Sequence, residues 1–143
     1  MGFLGKLFGT EKELPALDPA TPGALRIEKQ RAVLEAFAAK LHDPVELVAG
    51  EMATYAFIGR PPDRFGIAWF MQDGAEHNLK TLVQAKKLTV KQQNELSAHL
   101  REAYERSQAD PRYAATLGAK KVKVALSPGL EKDLLKIIHD IEG

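Results

Sequence analysis

Two apolar runs decide the fold of this chain: Met52-Ala53-Thr54-Tyr55-Ala56-Phe57-Ile58 and Phe65-Gly66-Ile67-Ala68-Trp69-Phe70-Met71, separated by Gly59-Arg60-Pro61-Pro62-Asp63-Arg64. Aromatic and β-branched residues between Gly and Pro turn signals favour strand over helix, so the pair reads as a β-hairpin over residues 52–72. Side chains alternate faces along a strand. Tyr55, Phe57, Phe65, Ile67, Trp69 and Met71 fall on bulky faces, and Thr54, Ala56, Ile58, Gly66, Ala68 and Phe70 fall on mostly small ones. No charge lies between Glu51 and Arg60 or between Arg64 and Asp73. Both sides are therefore expected to be sheltered, as in a central pair of strands.

The flanking segments read as cover for this hairpin. Downstream, Asp73-Gly74-Ala75-Glu76 has the form of a capping box leading into a helix that buries Leu79, Leu82 and Val83. Thr89 caps a second helix running to about Ser107, with Leu96, Leu100, Ala103 and Tyr104 as its apolar stripe. Asp110-Pro111 predicts a short helix ending at Gly118, and the strict alternation of residues 121–126 predicts a strand with one dry and one wet face. Ser127-Pro128 opens the last helix, striped by Leu130, Leu134, Ile137, Ile138 and Ile141. Upstream, Thr21-Pro22 starts a helix expected to run to Leu41-His42 with Ile27, Leu34, Phe37 and Ala38 inward. Asp43-Pro44-Val45-Glu46 repeats the cap-and-proline device, whereas Val45, Leu47 and Val48 suit a strand equally; the caps predict a short helical turn closed at Gly50.

These elements compose an α+β fold: a small antiparallel sheet, the hairpin 52–72 plus strand 121–126, covered by amphipathic helices. An all-α fold is the alternative if Pro44–Ile58 forms one helix. Residues 1–20 read as a flexible N-terminal arm and residues 21–143 as a single domain, a size at which one core is sufficient.

Composition removes several function classes. A net charge of +1 provides no whole-molecule field for nucleic acid or an acidic membrane. The absence of cysteine excludes disulfides, thiolate zinc sites and a cysteine nucleophile, and no run approaches a membrane span. A cytoplasmic location is the expectation. A membrane contact rests only on residues 3–8, where Phe3, Leu4, Leu7 and Phe8 form i,i+4 pairs beside Lys6.

Three constellations are candidate sites. Asp73, Glu76 and His77, at a strand end, are the catalytic candidates, since a histidine with two carboxylates can act as a general base or bind metal. Arg60 and Arg64 bracket a rigid turn and can grip phosphate or carboxylate in bidentate fashion. Lys80, Lys86, Lys87 and Lys91, with Lys120, Lys121 and Lys123, would merge into a nucleic-acid patch if their elements adjoin. The small face of the hairpin, Ala56, Gly66, Ala68 and Phe70, is a candidate surface for close approach of one of the chain's own helices or of a partner. No phosphate-binding glycine loop, metal-ligand spacing or cofactor signature occurs. The reading is a non-catalytic interaction or adaptor module binding a protein partner or a second copy of itself. An anion- or nucleic-acid-binding protein and a hydrolase-like or metal-dependent enzyme are the alternatives.

Overall fold

The hairpin forms as read: β2 (Ala53–Arg60) pairs antiparallel with β3 (Arg64–Met71), with Tyr55 opposite Trp69, Phe57 opposite Ile67 and Ala56 opposite Ala68. The computed structural model of the chain describes residues 14–142; the apolar patch at residues 3–8 lies outside them. The chain runs α1 (Pro22–Lys29), α2 (Arg31–Ala39), β1 (Val45–Ala49), β2, β3, β4 (Glu76–Asn78), α3 (Leu79–Lys86), α4 (Val90–Arg106), β5 (Arg112–Leu117), β6 (Lys120–Ala125) and α5 (Pro128–Glu142). The α+β class holds. The sheet, however, is not small and antiparallel: it has six strands in the order β4-β3-β2-β1-β6-β5, and β1 pairs with β6 in parallel.

The extra strands come from three stretches expected to be helical. Residues 45–49 are a strand, all five side chains buried, not a helical turn. An N-cap is worth about 1 kcal/mol, whereas burying Val45, Leu47 and Val48 is worth about 1.5–3 kcal/mol each, and a single helical turn cannot bury consecutive side chains on two sides. The all-α alternative fails with it, since residues 53–60 continue as β2. Residues 112–117 are β5 rather than a short helix, because β6 would otherwise leave its outer backbone groups unpaired; Arg112 lies opposite Ala125 and Leu117 opposite Lys120. Gly118 is left-handed as expected (φ 63°), but it turns a hairpin instead of closing a helix. At residues 73–78, Asp73 accepts a hydrogen bond from the Ala75 amide (2.9 Å) in a turn. The chain then forms β4, and Asn78 caps α3 in a reciprocal box with Thr81.

Helices cover both faces of the sheet. One face is packed by α3, α4 and α5, which enclose Tyr55, Phe57, Ile67 and Trp69 with Leu96, Leu100, Leu130 and Leu134. The other is packed by α1 and α2, which enclose Leu47, Ala56, Ala68, Phe70 and Val124 with Ile27, Leu34 and Phe37. The helix expected over residues 22–41 is broken at Gln30, whose side-chain amide donates to the Met71 carbonyl (2.7 Å) and accepts from the Thr54 hydroxyl (2.7 Å). At the β5 edge the chain protects itself: Pro15 and Leu17 bond the Ala114 backbone at 2.8 and 2.9 Å, and Arg31 donates to the Thr116 carbonyl. Among the described residues no helix is long and apolar enough to cross a membrane.

Candidate functional site

The lane beside β3 is where the sheet is unfinished. β4 is three residues long and pairs only with Ala68, Trp69 and Phe70. The Met71 amide bonds across that lane to the Ala75 carbonyl (2.9 Å), so by strand alternation Met71, Trp69, Ile67 and Phe65 present their backbone groups outward, while Gly66 and Ala68 point theirs at β2. α3 begins at Leu79 and takes the chain off the edge. The Ala68–Asn78 pairing has the Ile67 carbonyl accept from the Leu79 amide, and Ile67 is only 3% exposed, so half-buried Phe65 is the residue whose backbone groups lie beyond the last pair of that lane among the described residues. A Cβ added at Gly66 would meet nothing within 4 Å, so the α1/α2 side of this edge is open as well.

The hairpin tip adds charge to that edge. Arg60 and Arg64 are directly opposite one another in the register, on the α1/α2 face, and both are exposed. Opposed residues in an antiparallel pair have Cβ atoms about 5 Å apart, and like charges there are destabilising. Among the described residues neither guanidinium reaches a carboxylate or any other hydrogen-bond acceptor, although Asp63 lies between them in sequence. The tip itself is braced. Gly59 takes a φ of 111° there, with the Arg64 carbonyl so close that a Cβ would lie 2.8 Å from it, and Arg101 of α4 donates to the Pro62 carbonyl at 2.8 Å.

The other candidates are dispersed by the fold. Glu76 is opposite Phe70 and His77 opposite Trp69, so successive β4 side chains put the carboxylate and the imidazole on opposite faces of the sheet. Asp73 is held in its turn. His77 stacks over Trp69 (ring centroids 6.0 Å apart, 21° between planes) at the mouth of a cleft of about 340 Å³ that Thr81 and Lys86 also line. Lys86 donates to the Glu142 carbonyl at 2.8 Å. Of the interaction strip, Ala56, Ala68 and Phe70 are buried by the chain's own helices, Phe37 meeting the Phe70 ring edge-on at 5.0 Å, and Gly66 alone remains partly open.

The lysines do not converge. Lys80 and Lys86 belong to α3, beside β3 and β4, with Lys87 capping its C-terminus, and Lys91 to the first turn of α4; Lys120, Lys121 and Lys123 belong to β6, four places along the sheet from β4. The 17-residue α4, about 25 Å long, carries the chain between these ends, its Tyr104 reaching Glu46 of β1. Lys120 is engaged with the Leu41 carbonyl beyond the end of α2 (3.2 Å).

Sequence reading missed one polar cluster altogether. Glu46 in β1 accepts from the Tyr104 hydroxyl (2.7 Å) and from Nε of Arg112 (2.8 Å), and Arg112 also donates to the Ser107 carbonyl and hydroxyl (2.6 and 2.9 Å). The Glu46 and Arg112 side chains are 6% and 11% exposed. Burial, and then the hydrogen bond to Glu46, push the Tyr104 hydroxyl up to about 12. The only signal in the sequence was a charge inside an apolar run, Val45-Glu46-Leu47-Val48. Their hydrogen-bonding capacity is spent on one another and on nearby backbone, with no buried side-chain nitrogen or oxygen left unpartnered among the described residues: they hold the fold.

Comparison of the chain with protein-family models, with curated proteins and with solved structures finds no match in any of the three.

Proposed function

We propose that this chain is a non-catalytic protein-interaction module that receives an extended segment of a partner protein at the free edge of β3. One observation carries the reading: past Asn78 the lane beside Phe65 has no strand in it, and the exposed guanidinium groups of Arg60 and Arg64 stand next to that opening. Backbone groups left at an unfinished strand end can take a further chain, and adding to a sheet edge is a recurring mode of peptide capture. The contrast within the same sheet strengthens it. The opposite edge, β5, is covered by Pro15–Leu17, so an open edge is not a general property of this fold. The large apolar side chains that are exposed among the described residues, Leu25, Met52, Val90 and Leu135, are dispersed over α1, the loop between β1 and β2, α4 and α5, which favours a backbone-mediated contact over an apolar patch.

A photoreactive side chain placed at Gly66, where added bulk meets no neighbour, tests the reading in the intact protein. In cells of the source organism it should yield discrete protein adducts that the same group at exposed Lys132 on α5 does not, and amide exchange at Phe65 should slow in the purified adduct. Adducts equal at both positions, or unchanged exchange at that amide, would overturn it.

A further inference from the structure

The end of the sheet opposite the hairpin tip holds a cavity of about 220 Å³, and we infer that it binds a free α-amino acid whose neutral side chain donates a hydrogen bond, such as glutamine or serine. This cavity shares no residue with the opening beside β3. Arg26 and Lys29 of α1 line it on one side, Gly50 and Glu51 of the loop between β1 and β2 on another, and Thr54, 1% exposed, is at its floor with its partner Gln30. The loop is held in place. The Gly50 amide donates to the Ala53 carbonyl at 2.9 Å, the Glu51 amide to the Glu131 carboxylate of α5 at 3.1 Å, and Gln72 to the Glu51 carbonyl. A Cβ on Gly50 would lie 2.8 Å from Cγ of Glu131, so the loop rests directly on α5. An apolar cavity of about 150 Å³ takes benzene and drug-sized ligands need about 300 Å³ or more, so this one suits about ten non-hydrogen atoms and is too small for a nucleotide.

Charge selects the occupant. Arg26 donates to the Ala49 carbonyl at 3.0 Å, which anchors the guanidinium and leaves most of its N–H groups unspent. The Glu51 and Glu131 carboxylates approach it at 3.7 and 3.8 Å, beyond hydrogen-bonding distance. Neither the Lys29 ammonium nor the Glu51 carboxylate has a hydrogen-bond partner among the described residues. Two cations thus stand beside two carboxylates, and the site is neutral as a whole. A phosphate or a dicarboxylate would be repelled by Glu51, and a polyamine by Arg26 and Lys29. A zwitterion satisfies both signs, its carboxylate taken by Arg26 and Lys29 and its ammonium by Glu51. Opposite charges this close match a ligand whose two charged groups share one carbon. The floor then selects the side chain. The Gln30 amide nitrogen is used by the Met71 carbonyl, whereas the Gln30 oxygen and the Thr54 hydroxyl oxygen, bonded to each other, each keep a lone pair. A hydroxyl or amide on the ligand donates to them; an apolar side chain makes no such bond, and a charged one unbalances the site.

Calorimetric titration of the full-length protein with glutamine, asparagine, serine and threonine tests this. At least one should bind saturably with one site per chain, and its N-acetyl and α-amide forms, each lacking one charge, should bind at least about tenfold more weakly. Norvaline and glutamate should be weaker by a similar factor. Lys29→Ala and Glu51→Gln change exposed side chains and should keep the parent's melting temperature. Each should weaken binding of the amino acid, while Glu51→Gln should leave the residual affinity for the N-acetyl form unchanged, since the ammonium that Glu51 serves is already gone. No saturable binding by any of the four would overturn the site. Derivatives that bind as well as the parent amino acid, or inorganic phosphate that binds as tightly, would overturn the zwitterion. Norvaline bound equally would overturn the part given to Thr54 and Gln30. Affinity unaltered in both variants would overturn the assignment to this cavity.

Discussion

Gly66 and Ala68 are two residues apart on one face of β3, and enlarging them has opposite consequences. Ala68 is 1% exposed beneath α1 and α2, so Ala68→Arg buries an unpaired charge and should abolish folding, seen as loss of the far-ultraviolet helical signal. Gly66 has an ordinary strand backbone and open space where a Cβ would sit. Gly66→Ala should therefore stabilise by about 0.4–1 kcal/mol, through the reduced freedom of the unfolded chain, as measured by urea denaturation. The tyrosines respond to pH instead of volume. Tyr55, by burial and then the nearby carboxylates of Glu131 and Glu142, and Tyr104, by burial and then its bond to Glu46, are both pushed up to about 12 from 10.0. Between those values the folded chain retains protons that the unfolded chain has lost. Their stabilisation, on the order of 2 kcal/mol each, is complete below the unfolded value and falls away as pH rises through the window. Tyr55→Phe should leave stability at pH 8 nearly unchanged and remove about half of the alkaline loss, since one of the two groups no longer titrates. An unaltered alkaline profile would show that Tyr55 is not one of the groups responsible.

The break between α1 and α2 shows what fixes element boundaries in this protein. Gln30 gives up its place in a continuous helix to satisfy Thr54, 1% exposed, and the end of β3. Gln30→Ala should cost about 1–3 kcal/mol by leaving that buried hydroxyl without its partner, and adding Thr54→Val should recover part of the loss. Equal urea midpoints for Gln30→Ala and the parent would mean that water replaces the amide. Such tertiary demands also explain which elements could be read from residues alone. The hairpin was legible because its aromatic residues and its turn point to the same structure, and α4 and α5 were legible because cap and stripe agree. Residues 45–49 and 112–117 were not, because Asp43-Pro44 and Asp110-Pro111 imitate helix caps; their strand state is set by pairing, β1 with β2 and with distant β6, and β5 with β6 across the Gly118 turn. Asp73-Gly74 has the composition of a cap and forms a turn. The site divides the same way. Arg60 and Arg64 were visible as a pair around a turn, but the open edge beside them depends on β4 stopping after three residues, and nothing in residues 73–79 announces that length.

At the scale of the molecule, the sheet is two antiparallel blocks, β1 to β4 and β5 with β6, joined by one parallel seam in which only Glu46 with Lys123 and Leu47 with Val124 are in register. So short a seam contributes few backbone hydrogen bonds, and closing it brings together segments separated by most of the chain, which costs loop entropy. The Glu46–Arg112 ion pair crosses from one block to the other, and Tyr104 ties α4 to both through its bond to Glu46 and its ring beneath the Arg112 guanidinium, 5.3 Å from the centroid. A buried pair stabilises little relative to apolar residues of the same size, but removing one member leaves the other charged and unpaired, at about 3–5 kcal/mol. Arg112→Met should destabilise by that amount. Adding Glu46→Met should recover much of it but not all, because Arg112 also serves the Ser107 and Asp110 carbonyls. Location separates this account from a general loss of stability. If the pair holds the blocks together, amide exchange in Arg112→Met should accelerate in β5 and β6 well before it does in β2 and β3, because the antiparallel block retains its aromatic core on both faces. Uniform acceleration across all six strands would mean that the sheet opens as one unit, with the seam no weaker than the rest.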